Sequence, residues 1–175
     1  NADDVYEIAN AGQLYWFAQE VNRSGINSAN MPDINAVLTT DIVVNTGMLK
    51  ADGNLSENYS TFRVWTPIGD EDNSYKGTFD GQGHIVSGLY VNDETRNYVG
   101  LFGYAYYAKI MNVGVVESYF HGKDMVGGVC GMTSFGSLSN CYNTGMVSGN
   151  NSVVGVGGNT GFGSLTHCYN TGKVS

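Results

Sequence analysis

Apolar positions change their spacing along the chain. Near the start, Ala11, Leu14, Phe17, Ala18 and Val21 recur at steps of 3, 3, 1 and 3, which an α-helix brings to one face. Asn10 supplies an N-cap, Gln13 stands at N3, and Gly25 follows as a stop. The pattern predicts one helix over about residues 11–22, inside a capping region over about residues 5–30. Beyond it the apolar stretches are short and lie between polar turns, which predicts strands. Residues 36–44 read as a strand pair or one bent strand, and residues 62–65 as a short strand ahead of Pro67. Two more strands, 75–79 and 84–91, flank a turn at 80–83. Residues 46–61 form a polar insertion loop, 70–74 an acidic turn and 93–97 a polar loop.

The second half repeats itself. Residues 131–145 read GMTSFGSLSNCYNTG and residues 158–172 read GNTGFGSLTHCYNTG, eleven of fifteen positions being identical at a separation of 27. A fainter copy lies 28 residues upstream, where Gly100 to Gly103 match Gly128 to Gly131 and Ile110 matches Leu138. Gly, Ser, Asn, Thr and Val dominate these segments and disfavour helical repeats, and the leucine-rich spacing is absent. Several short strands per 27 residues describe a parallel β-helix, each coil about 4.8 Å above the last. Crossovers between parallel strands favour right-handed winding. The expected fold is therefore all-β, a right-handed parallel β-helix of roughly five coils with an N-terminal capping helix. The helix would cover the strand edge at that end. Leu138/Leu165, Val147/Val174, Val129/Val156 and Phe135/Phe162 are expected to stack as core ladders. Gly136/Gly163 and Gly145/Gly172 should mark corners with positive φ or close backbone approach. One domain over 1–175 is expected, with leading coils and insertion loops over 34–97 and repeats over 98–175. The sequence stops partway into a coil, so a longer parent protein and weak self-association at the C-terminal coil are expected.

Charge narrows the partners. Eight Lys and Arg against sixteen Asp and Glu give a net charge of −8, which excludes the basic face that nucleic acid requires and a polybasic attachment to anionic lipid. No apolar run approaches the roughly 18 residues of a membrane span, so no membrane insertion is expected. From Met125 onward the only charged side chain is Lys173.

The GLFG (100–103) and VGGVCG (126–131) elements resemble the GLUG-motif repeats of secreted bacterial surface proteins, which also occur beside immunoglobulin A-cleaving metallopeptidase domains. The upstream half is similar to the leader of such arrays: QLYWFA (13–18), LTTDI (38–42), PIG (67–69) and GTFDGQGHI (77–85). The resemblance runs from about Tyr6 to Ser175. It implies an exported bacterial protein, secreted or attached to the cell surface, with a right-handed β-helix. It does not imply one activity, since the repeats occur in adhesins, in spacers and beside catalytic domains.

Candidate chemistry is sparse. His84 could pair with Asp80 as an acid/base couple, although a recurring tight turn explains the segment better. His121 and His167 have no second ligand at metal spacing, and His167 replaces Asn140 of the previous repeat. Asp70, Glu71, Asp72 and Asn73 offer oxygens to calcium but lack the alternating spacing of a calcium loop, so a solvated turn is expected. No HExxH is present, which excludes a metallopeptidase of that type. Cys141 and Cys168 stack one coil apart, within disulfide Cα range, but in-register neighbours rarely reach the required dihedral. Reduced, inward-facing thiols are expected, and Cys130 lacks a repeat partner. The reading contains no catalytic residue, no cofactor and no metal.

Tyrosine is the remaining signal, with twelve residues. Tyr104, Tyr106 and Tyr107 cluster between two repeat elements. Tyr142 and Tyr169 recur at the repeat period beside Asn143 and Asn170. Exposed aromatics next to amides suit contact with sugars or another protein. These seven residues form the candidate ligand-binding set. The leading expectation is a non-catalytic adhesion module binding a glycan or a host or cell-surface protein. The alternatives are a structural spacer and an accessory region of a surface peptidase or polysaccharide-active enzyme.

Overall fold

The computed structural model describes residues 5–23 and 34–175, without the side chains of Asn159 and Thr160. The chain winds into an all-parallel β-solenoid of six coils. The first coil holds β1 (Val5–Ile8) and the helix α1 (Ala11–Val21), and the second holds β2 (Asn35–Leu38) and β3 (Ile42–Val43). The third carries β4 (Thr78–Asp80), β5 (Ile85–Ser87) and β6 (Tyr90–Asn92). The fourth carries β7 (Phe102–Tyr106), β8 (Lys109–Met111), β9 (Gly114–Val116) and β10 (Tyr119–His121). The fifth has β11 (Asp124–Gly127), β12 (Cys130–Ser134), β13 (Ser137–Ser139), β14 (Tyr142–Asn143) and β15 (Met146–Ser148). The sixth has β16 (Asn151–Val154), β17 (Gly157–Gly161), β18 (Ser164–Thr166) and β19 (Tyr169–Asn170). One six-stranded face, β1-β2-β4-β8-β13-β18, runs the length of the stack. The sixth coil, beyond the expected five, arises because β1 and α1 make a coil of their own.

Register converts the repeat into vertical columns. Ala36, Phe79, Ile110, Leu138 and Leu165 pair in succession along one inner face. Val91, Phe120, Val147 and Val174 do so along another. From Ala36 to Leu138 and from Val91 to Val147 these side chains are buried, each of those from Val- to Phe-sized contributing about 1.5–3 kcal/mol. A single coil has no opposite layer to bury them, so adjacent coils and the far wall make the core.

The helix closes the interior at the N-terminal end. Gln13 N–H donates to Asn10 Oδ1 at 3.0 Å, and Ala9 N–H donates to Gln13 Oε1 at 2.7 Å. The first bond satisfies a donor that the helix start leaves free, and the second ties Gln13 back to the residue before the cap. Leu14, Phe17 and Ala18 are buried, and the Phe17 ring lies 6.0 Å from Tyr75 and 6.3 Å from Phe79. Asn22 ties down the helix end, donating to Pro67 O at 2.8 Å and accepting from Gly69 N–H at 2.7 Å. Gly25, the expected stop, lies outside the described residues, as do residues 24–30 of the capping region.

Three local expectations change, and a fourth is met in one of its two forms. Phe135 and Phe162 stack, at 5.3 Å and 12°, but they do so outside the solenoid rather than in its core. Residues 84–91 form two strands, because Gly88 turns the chain at a φ of 76°. Residues 62–65 make only a bridge, Val64 to Tyr90. The corners with positive φ belong to side-chain-bearing residues. Tyr107, Phe135 and Phe162 occupy one corner at φ of 55°, 55° and 56°. Asn112, Asn140 and His167 occupy another at 55°, 52° and 53°. Gly136 and Gly145 meet the other form of that expectation, close backbone approach: a Cβ on Gly136 would meet Ala108 O at 2.5 Å, and one on Gly145 would strike Ser118 O.

The 46–61 insertion is a strap along the side of the stack. Leu49 and Leu55 form an antiparallel bridge, Lys50 N–H donates to Asn54 O at 2.8 Å, and Met48 is fully buried. Lys173 Nζ donates to Asn54 Oδ1 at 2.7 Å, across 119 residues of sequence. The strap therefore leaves the second coil and reaches the sixth.

Candidate functional site

The left-handed corner after β7, β12 and β17 throws its side chains outward. Tyr107 stacks on Phe135 at 5.1 Å and 13°, and Phe135 stacks on Phe162. Their exposures are 61%, 47% and 87%. Tyr106 joins the ladder from the side, 4.7 Å from Tyr107 and 6.0 Å from Phe135, edge to face in both cases. Tyr104 lies 6.3 Å from Tyr106, and Tyr98 stacks on Tyr104 at 5.5 Å and 18°. The result is a ridge of six rings in continuous contact, with hydroxyls at one end and bare phenyl groups at the other. Burial raises the Tyr98 and Tyr106 phenol pKa values, with further upward pushes from Glu71 on Tyr98 and from Tyr107 on Tyr106.

Three of these rings, Tyr104, Tyr106 and Tyr107, were legible as a sequence cluster. Tyr98, six residues before Tyr104, is brought onto it by the turn that leads into β7. Phe135 and Phe162 carried a signal, recurrence at the repeat period, that also fits a core position. What sends them outward is the left-handed backbone, which the sequence does not mark with glycine.

The second aromatic column is Tyr142 on Tyr169, at 5.1 Å and 4°. Gly114 precedes Tyr142 in register. A Cβ there would strike the Tyr142 ring, so the glycine makes room for the tyrosine. Burial raises the Tyr142 pKa first, and Tyr169 and Asp41 add to it. The partner residues divide. Asn170 is exposed, whereas Asn143 is fully buried. Asn143 Nδ2 donates to Gly145 O at 3.1 Å and to Asn170 Oδ1 at 2.8 Å, and its Oδ1 accepts from Gly145 N–H at 3.1 Å. Its amide is spent inside the wall, which removes Asn143 from the ligand-binding surface.

Histidine chemistry also takes a different form. His84 Nδ1 lies 3.0 Å from Asp41 Oδ1, which also accepts from Ile85 N–H at 3.1 Å. Those bonds, the Ile85 N–H first, hold the Asp41 carboxyl below its usual range. Asp80, the expected partner of His84, accepts instead from Gln82 N–H and Asn112 Nδ2, both at 2.9 Å. Asp41 and His84 are 43 residues apart, and only the pairing of β3 with β5 joins them. His121 Nδ1 lies 2.8 Å from Ser148 Oγ, and its Nε2 lies 3.6 Å from Glu94. This order of groups suggests a nucleophile, base and acid. Ser148 is 6% exposed, however, and its Oγ also donates to Phe120 O at 3.3 Å, so the hydroxyl is held in the solenoid wall. His167 keeps the corner position of Asn140. Asp70 Oδ1 accepts from Asp72 N–H at 3.0 Å and Asn73 N–H at 2.7 Å, closing the acidic turn on itself. Among the described residues no group of three His, Cys, Asp or Glu is placed to hold a metal ion, and no helix is long and apolar enough to cross a membrane.

Fold and surface together define a parallel β-solenoid with an exposed aromatic ridge and the Tyr142/Tyr169 column. No protein-family model matches the chain, and no solved structure matches it. It is similar to halomucin of Haloquadratum walsbyi, 40% identical over 83 residues, which is 47% of this chain and 1% of halomucin. It is also similar to a Gly-rich membrane protein of Evansella cellulosilytica, 44% identical over 39 residues, which is 22% of this chain and 4% of that protein. The chain thus spans a small fraction of the length of either relative.

Proposed function

We propose that this chain is a non-catalytic binding module of a surface-associated bacterial protein and that the aromatic ridge is its adhesive surface. The observation that carries the reading is the exposed run Tyr107, Phe135 and Phe162, with the half-buried Tyr106 against its side. An apolar strip of this kind on a soluble face marks an interaction site more often than a packing accident. The GLUG-like elements and a relative named as a membrane protein support a place at the cell surface. The stacking favours one ligand class. Phe135 has a ring on each face, so a sugar cannot stack on it. The ridge presents ring edges and tyrosine hydroxyls, which suit the side chains of a surface protein.

The test is binding of the purified chain to immobilised fibronectin, fibrinogen, collagen and laminin, beside a glycan array that includes mucin and plant polysaccharides. Selective protein binding, lost in Tyr107→Ala/Phe135→Ala with an unchanged melting midpoint, is the expected result. Selective glycan binding would move the ligand class. Binding that survives the double variant, or blank panels, would overturn the ridge as the adhesive surface. The uniform stacking of short coils would then favour the spacer.

A further inference from the structure

We propose that Cys141 and Cys168 are an oxidisable pair, a disulfide site that staples the fifth coil to the sixth. The three cysteines are free in this structure, and register sorts them. Cys130 pairs with Phe102 on one side and Gly157 on the other, so it has no thiol neighbour along its column. Cys141 and Cys168 immediately precede Tyr142 and Tyr169, which are register partners. Successive coils are about 4.8 Å apart, inside the Cα range of a disulfide. The two thiols also point the same way. Cys141 Sγ donates to Ser139 O at 3.2 Å and faces Ile110 O of the coil before at 3.7 Å. Cys168 Sγ donates to Thr166 O at 3.3 Å and faces Leu138 O at 3.6 Å. Cys168 thus turns back toward the coil that holds Cys141, and the two thiols influence each other electrostatically. Rotation about one Cα–Cβ bond, with a local corner adjustment, would bring the sulfurs together. Both residues sit at corners just before β14 and β19, outside the paired strands whose flat register resists the disulfide dihedral.

The oxidant is a small-molecule disulfide such as oxidised glutathione. The Cys168 thiolate attacks it, forming a mixed disulfide and releasing one glutathione thiolate. The Cys141 thiolate then attacks the Cys168 sulfur, closing the protein disulfide and releasing the second. The two protein thiols lose two electrons in all, and their protons end on the two released thiolates. The order follows from burial. Cys168 is half-buried, whereas Cys141 is buried and its thiol is pushed up to about 12, burial being the main cause. The second step is therefore slow at neutral pH and speeds up as the solution becomes more basic. The bridge would fix the base of the Tyr142/Tyr169 column, and it stands on register alone, whatever the ridge binds.

The test treats the purified chain with oxidised glutathione, quenches it in acid and counts thiols after unfolding. The expected result is a fall from three thiols to one. Intact mass should show the loss of two hydrogens. Digestion with chymotrypsin, which cuts after Tyr142 and Tyr169, should give a linked peptide pair containing Cys141 and Cys168. Cys141→Ser should stop at a single glutathione adduct on Cys168, and Cys130→Ser should still close the bridge. Three thiols retained, a wild-type chain that stays at the glutathione adduct in basic solution, or a link through Cys130 would each overturn the proposal.

Discussion

Replacing Asn143 by alanine tests the idea that the solenoid wall is held by an amide ladder rather than by its aliphatic columns alone. Asn143 is fully buried and makes three hydrogen bonds of 2.8–3.1 Å. Its side chain also fills space opposite Gly128, where an added Cβ would strike Asn143 Cγ. Truncation leaves the Gly145 N–H without its partner and opens a void beside Gly128. A buried donor left unpaired costs about 1–3 kcal/mol, and the void adds to it, so a total near 3 kcal/mol is expected. For a chain of this size, about 2–4 °C per kcal/mol makes that a drop of about 6–12 °C in melting midpoint. The internal control is Asn170→Ala, the same residue one coil on. Asn170 is exposed, so water can replace its bond to Gly172 O. Both variants lose the Asn143–Asn170 bond, but Asn143 keeps its bonds to Gly145 in Asn170→Ala, so that variant should lose clearly less, about 1 kcal/mol. Urea unfolding followed by circular dichroism reads both variants, with an unchanged dependence on urea showing that only stability moved. Equal losses for the two variants would refute the reasoning, because the buried bonds to Gly145 are lost in Asn143→Ala alone.

Other outcomes follow from the same structure. At mildly basic pH the folded chain should react with a thiol reagent at Cys168 alone. Burial pushes the Cys130 and Cys141 thiols up to about 11 and about 12, and all three should react after unfolding. The Asp41 carboxyl is held below its usual range by Ile85 N–H and His84. Its contribution to stability is therefore present above the unfolded carboxylate pKa of about 3.9 and is lost as pH falls through the lower folded value. The melting midpoint of Asp41→Asn should accordingly fall less than that of wild type between about pH 6 and about pH 3. Lys173→Ala should loosen the strap with little change in global stability, since the Asn54 contact is exposed. Faster amide exchange at Leu49 and Leu55 with an unchanged midpoint is the expected reading. Gly114→Val should displace Tyr142, seen as a changed near-ultraviolet circular dichroism spectrum with the far-ultraviolet spectrum retained.

The repeat determined the architecture. A period of 27 with short apolar stretches between turn residues leaves few ways to bury an inner face, and stacking coils in parallel satisfies it. The helix was equally legible, because Asn10, Gln13 and the face Leu14, Phe17 and Ala18 act within two turns of chain. The tyrosine columns followed from the same periodicity, since a side chain repeated every coil must sit above itself. Tertiary structure decided which way side chains point at corners. Phe135 and Phe162 share the period of Leu138 and Leu165, yet the left-handed backbone at φ of 55° and 56° turns them out while the strands turn Leu138 in. It also decided which residues meet across coils of unequal length. The strap separates Asp41 from His84 in sequence but not in register, so the pair carries no motif. The strap itself read as a polar loop, and its contact with Lys173 depends on how far the loop reaches up a stack whose height only the fold sets. Asn143 and Asn170 share the segment CYNTG, and it is register between two coils that makes the Asn143 amide part of the wall.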